Sequence, residues 1–270
     1  MKIYFIIIIL PFFIFQELIS QETIDSDIIR NAQRNVCAIK ILNKNKKETM
    51  ALGCGVVLMT KVKGRNEYFV ATAFHILKDI LQSNELSVAI SVFDKNGNVY
   101  EATEISEKNI IWANQSMDAA LIVLPRNLKP EGEIPANYEF PGLANLKLIG
   151  EPNWGEDIYL FGYRWINEQT FIDILKKGIL SVGTKDLPGY EGNLVYLIDN
   201  MANKGMSGGL AITSEGVGIG IISSYVYEVG DEFLNSDDLT VCLPLTIYFN
   251  ALSSLIVNYP DQISKLLKEY

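Results

Sequence analysis

The chain of 270 residues holds one histidine, His75, in the run Ala71-Thr72-Ala73-Phe74-His75. Far downstream, Ser207 sits among glycines in Gly205-Met206-Ser207-Gly208-Gly209. Between the two, Asp118 opens the apolar run 119–124. The order His, Asp, Ser suits nucleophilic acyl transfer. A serine hydroxyl is a weak nucleophile until a base takes its proton, and the base needs an acid to orient its ring and stabilise the imidazolium. His75 is the only imidazole on offer. The glycines have a separate purpose: backbone amides must point at a developing oxyanion through a tight turn with no side chain in the way. Gly205 and Ser207 would donate those two amides, and Gly208 and Gly209 would let the backbone pass close to the substrate.

Three rival chemistries lose a part. The same five residues satisfy the Gly-X-Ser-X-Gly elbow of lipases and esterases, but that arrangement needs a histidine after the serine, and none follows Ser207. A subtilisin-like order needs an aspartate before His75. Asp25 and Asp27 precede it but lie in a polar lead-in outside any clear strand. One histidine and scattered cysteines make no zinc-ligand cluster, so neither metal nor cofactor is expected. The carboxylates Asp231, Glu232, Asp237 and Asp238 would suit a hard cation, yet read best as a solvated acidic loop.

The elements that must position these residues are short and β-rich. Runs at 36–42, 55–60 and 68–72 read as strands, the third delivering His75, with a helical turn at 76–81. Strands at 86–93 and 98–103 flank Lys95-Asn96-Gly97, a strong hairpin signal because Asn-Gly accepts positive φ. Further strands are expected at 119–124, 157–163, 178–182, 194–198, 211–213, 218–223 and 239–243. Residues 23–34 form a polar lead-in suited to a short helix, and the pattern turns helical from Leu245. The connector 125–148, with Pro130, Pro135 and Pro141, links two halves. Many short strands with frequent turns indicate an all-β sandwich or barrel, not a parallel α/β sheet.

Composition narrows the partners. The hydrophobic fraction of 49 % and charged fraction of 20 % are those of a globular protein with a sizeable core. The net charge of -9 argues against nucleic acid, because an acidic chain gains nothing from neutralising phosphates. Lys2 followed by the apolar run 3–15 and then Ser20 resembles a secretory signal peptide cleaved near Ser20. The run is shorter than the ~20 residues of a spanning helix, so no membrane span is expected after cleavage. An uncleaved anchor is the alternative, since Leu18 stands where a smaller residue is usual. Cys37, Cys54 and Cys242 are an odd set in β-like runs. Buried thiols are the plain reading, with a Cys37–Cys54 disulfide as the other.

Taken together, the three segments resemble the trypsin/chymotrypsin clan of serine peptidases, especially its HtrA-like bacterial branch. Thr72-Ala73-Phe74-His75 resembles that family's Thr-Ala-Ala-His, Asp118-Ala119-Ala120-Leu121 its Asp-Leu-Ala-Leu, and the serine segment its Gly-Asn-Ser-Gly-Gly. Residues 209–216 leading to Gly220-Ile221 resemble the hairpin after the serine, and Val241-Cys242-Leu243-Pro244 the run closing the second barrel. The resemblance spans about residues 33–258. It implies two six-stranded antiparallel β-barrels with a C-terminal helix: a first barrel at about 33–125, a connector at 125–148, a second barrel at about 149–245 and the helix at about 245–258. Residues 1–20 would be the leader and 21–270 a bare protease domain, with nothing after Tyr270 for a peptide-binding regulatory domain.

By this resemblance Ser207 is the nucleophile, His75 the general base and then acid, and Asp118 the group that holds the imidazole tautomer. Phe74 departs from a small residue and bears on how the ring is held. Met206 cannot pair with a freed N-terminus, so activation by N-terminal insertion is not expected. The main substrate pocket would be lined by Asn200, Met201, Ile222, Ser223 and Ser224. It lacks an acidic residue at Met201, which disfavours Lys or Arg and favours a small or medium apolar residue. The substrates would be polypeptides. Two other readings stand beside an exported serine endopeptidase: a catalytically silent protease-fold binding module, and an acyl hydrolase on small esters.

Overall fold

The structure is a computed structural model. It describes residues 24–45, 48–93, 99–124, 147–148, 152–166, 171–185, 187, 190, 192–200, 202–225 and 239–267. The expected leader, the hairpin tip at 95–97, most of the connector, Met201 and the acidic cluster at 231–238 lie outside the described residues.

The first half is a seven-stranded sheet in the order β5-β4-β1-β2-β3-β7-β6. Its strands are β1 (Val36–Asn43), β2 (Thr49–Val62), β3 (Arg65–Ala73), β4 (Leu86–Phe93), β5 (Val99–Ile105), β6 (Ile110–Asn114) and β7 (Ala119–Val123). The turn from β2 to β3 is a two-residue hairpin in which Lys63 (φ 50°) and Gly64 (φ 80°) both lie in the left-handed region, and Val62 pairs with Arg65.

The second half holds β8 (Lys147–Leu148), β9 (Asp157–Trp165), β10 (Phe171–Thr184), β11 (Val195–Asp199), β12 (Leu210–Thr213), β13 (Val217–Tyr225) and β14 (Leu239–Pro244). Pairing of β12 with both β9 and β13 closes β12-β9-β10-β11-β14-β13 into a six-stranded barrel. Among the described residues the first half departs from the six strands expected of it: β6 adds a seventh, and no pairing joins β5 to β6 at the ends of the order. The half-exposed run Ile110–Asn114 lacks the alternation that marks a strand in the sequence, and it pairs with β7.

Among the described residues, three hydrophobic clusters hold this architecture. One fills the first half (Ile39, Val70, Ile90, Ile122) and one fills the second barrel (Ile158, Leu160, Met206, Ile222). The third is shared by both halves and contains Val56, Phe69, Leu121, Phe161, Leu210 and Tyr248. Strand β7 shows why its sequence is an unbroken apolar run. Ala119, Leu121 and Val123 face the shared core while Ala120 and Ile122 face the first, as the two-residue period of a strand requires. Each large side chain so buried contributes roughly 2 kcal/mol, and the shared cluster fixes one half against the other.

Helix α1 (Ser26–Asn35) starts where the Asp25 carboxylate accepts from the Asp27 amide at 2.7 Å, and Asp27 pairs with Arg30. Both aspartates of the lead-in therefore serve this helix. The single turn α2 (Phe74–Leu77) follows β3, and α3 (Leu245–Asn258) and α4 (Pro260–Leu266) close the chain. No helix among the described residues is long and apolar enough to cross a membrane. Cys37, Cys54 and Cys242 are free and buried, and burial pushes the Cys54 thiol up to about 12 and the other two higher still. They are neutral thiols in core positions.

Candidate active site

Asp118 is gripped from three directions. The Phe74 amide donates to its backbone carbonyl at 3.0 Å, and the His75 amide donates to Oδ1 at 2.8 Å. The His75 ring presents Nδ1 to the carboxylate at 2.9 Å from Oδ2 and 3.1 Å from Oδ1. On the far side the Ser223 hydroxyl donates to Oδ2. Asp118 is the last residue of the β6–β7 turn and has φ 50°, a left-handed conformation that aspartate tolerates better than most residues. That turn places the carboxylate under the start of α2, where it meets the backbone and ring of the same histidine.

The two partners differ in exposure. The His75 side chain is 44 % exposed and that of Asp118 is 16 % exposed. An acceptor-only carboxylate on Nδ1 favours the tautomer with the proton there, which leaves Nε2 without one. Phe74, the departure beside the histidine, is half-buried, and its amide takes part in holding Asp118.

Ser207 comes from the other half. Its loop is docked on β2 by the Cys54 amide, which donates to the Ser207 carbonyl at 2.7 Å. The Cys54 thiol donates to the Gly205 carbonyl at 3.1 Å and accepts from the Tyr163 amide at 3.2 Å. Thr72, three residues before His75, donates its hydroxyl to the Cys54 carbonyl at 2.7 Å. Histidine strand, β2 and serine loop are thus bonded in sequence. Gly53 is wedged between them: a Cβ there would sit 2.4 Å from Ile76 and 3.3 Å from the Ser207 carbonyl.

Within the serine loop the amides divide into two groups. Met206 N donates to Asn203 O, Gly208 N to Ile222 O and Gly209 N to Met206 O, at 3.0, 2.6 and 2.8 Å. Among the described residues the amides of Gly205 and Ser207 donate to no backbone carbonyl, and they are the two expected to receive an oxyanion. Gly205 (φ 97°) and Gly208 (φ 85°) adopt conformations that L side chains rarely reach. Met206 is fully buried in the second barrel, its sulfur accepting from the Asn203 amide, and anchors the loop from behind. No hydrogen bond joins the Ser207 hydroxyl to the ring among the described residues. Such contacts often tighten only when substrate binds.

The residues expected around the substrate pocket separate. Asn200 is held by the Lys177 carbonyl through its Nδ2 at 2.6 Å, and the Thr240 hydroxyl bridges Asn200 O and Ala202 N at 2.5 and 2.7 Å. That bridge pins the wall on both sides of Met201 to β14. Ile222 is fully buried, with its backbone bonded to Gly208 and Gly209. Ser223 is fully buried with its hydroxyl on Asp118, so its side chain supports the acid instead of lining a pocket. The side chain of Ser224 lies outside the described residues. Cys54, Thr72 and Thr240 carry no motif signal, since their roles arise from contacts between residues far apart in the chain. Among the described residues, no three His, Cys, Asp or Glu side chains gather as metal ligands.

No curated protein matches the chain. The crystal structure of Deg5 is similar in fold, with a TM-score of 0.62 at 17 % identity over 89 % of this chain and 98 % of that one. The pattern of the trypsin-like peptidase domain matches residues 53–221, which run from the β2 glycine wedged against the serine loop to β13. The chain belongs to the trypsin-like peptidase family.

Proposed function

We propose that the protein is an exported serine endopeptidase that hydrolyses polypeptides through an acyl-enzyme. Ser207 Oγ attacks the scissile carbonyl while His75 Nε2 takes its proton. His75 then returns that proton to the leaving amine, and water repeats the cycle on the ester. Asp118 holds the tautomer and offsets the imidazolium charge, and the Gly205 and Ser207 amides receive the oxyanion. The observation that carries this reading is the double hold of Asp118 on the His75 amide and ring. The division of amides in the serine loop supports it. Export to the periplasm or medium rests on the leader-like residues 1–20.

Met201, where a preference for Lys or Arg would call for an acidic residue, supports a small or medium apolar residue before the cut. Digestion of a denatured protein, with the fragments sequenced by mass spectrometry, is expected to show cuts after such residues. Cuts mainly after Lys or Arg would overturn the specificity, and an intact substrate would overturn the activity.

A further inference from the structure

We infer that Tyr190 is a positioning residue for the triad acid, acting through Ser223; this rests on the serine-peptidase reading of the site. Tyr190 OH lies 2.7 Å from Ser223 Oγ. A serine hydroxyl has a single proton, and that of Ser223 is given to Asp118 Oδ2. The carboxylate is an acceptor only, so this direction is fixed. Ser223 must therefore accept from the tyrosine, and Tyr190 donates. The result is a one-way chain, Tyr190 to Ser223 to Asp118, ending on the carboxylate that receives His75 Nδ1.

The chain also crosses between the two halves. Asp118 belongs to the first, whereas Ser223 lies on β13 and Tyr190 on the β10–β11 connection of the second. That connection is itself held: Tyr190 N donates to Leu187 O, Asn193 N to Tyr190 O and Gly192 N to Lys185 O. The Tyr190 ring packs against the shared core. Tyr190, on the half that bears Ser207, thus fixes the rotor of Ser223 and, through it, the angle at which Asp118 meets His75. Without the phenol hydroxyl, Ser223 keeps its proton acceptor but loses the bond that holds its rotor.

Tyr190→Phe keeps the ring and removes only the donor. It is expected to lower kcat about tenfold with KM nearly unchanged, the size of effect expected of a bond that supports a charged group. Because His75 is the chain's one histidine, its Nδ1 proton gives a single downfield NMR resonance, which should move or broaden in the variant. In a Ser223→Ala background Tyr190→Phe should cost nothing further, since the link is already cut. A wild-type kcat with an unmoved resonance, or losses that multiply in the double variant, would overturn the inference. A moved resonance in a protein that cleaves nothing would keep the relay and remove the endopeptidase reading. An unmoved resonance in an active enzyme would do the reverse.

Discussion

Asp118→Asn is expected to lower kcat about 10⁴-fold while the protein stays folded. The carboxylate accepts from the His75 ring at 2.9 Å, from the His75 amide at 2.8 Å and from Ser223. An amide has one oxygen to offer where the carboxylate has two. If that oxygen keeps the backbone amide of His75, the NH₂ group faces Nδ1 and Ser223. The ring then turns its lone pair to Nδ1 and its proton to Nε2, so it cannot accept from Ser207. The Phe74 amide bond to the residue's backbone carbonyl is untouched, so folding should survive. Steady-state hydrolysis of a peptide substrate beside a thermal melt tests this. A loss under tenfold in a folded variant would mean that Asp118 does not set the tautomer.

Gly208→Ala should be the more damaging change to the fold, at about 4 kcal/mol. At φ 85°, an added Cβ would lie 1.8 Å from the Cys54 carbonyl oxygen and 2.6 Å from Thr72 Oγ1. Neither neighbour can give way cheaply: one is backbone in the centre of β2 and the other is bonded to it. The loop would have to lift from β2, losing the Cys54-to-Ser207 and Gly208-to-Ile222 bonds. Gly64→Ala is the control. It also has positive φ, 80°, but a Cβ there meets nothing within 4 Å, so only the conformational term of about 1 kcal/mol remains. Melting temperatures should separate the two by about 10 °C. Equal losses would assign the effect to backbone strain alone and remove the close approach from the account.

The comparison between sequence and structure follows the range of each interaction. Strands β1, β4, β7 and β14 were legible because their apolar runs report burial directly, and the start of α3 at Leu245 because the pattern changes period there. The three proposed triad residues stand out because the chain has one histidine, one serine set among glycines and, between them, an aspartate opening an apolar run. Strand β10 was expected at 178–182 but runs from Phe171 to Thr184. Its first half carries exposed Ile172 and Leu175, which break the alternation that would have announced it. Sequence order places Ser223 on its strand but does not give the face it presents, so the expected pocket wall and the observed bond to Asp118 differ. The contacts of the Cys54 thiol and the Tyr190 hydroxyl are not legible at all, since each joins residues more than 30 positions apart through hydrogen bonds that leave no periodic trace.

The most direct test of the account is labelling of the purified protein with a fluorophosphonate, which bonds only to an activated serine. Wild-type protein should be labelled at Ser207, with labelling abolished in Ser207→Ala and in His75→Ala. A folded wild type that takes no label, or one labelled equally well without His75, would contradict the assembled triad and bring the silent binding-module reading to the front.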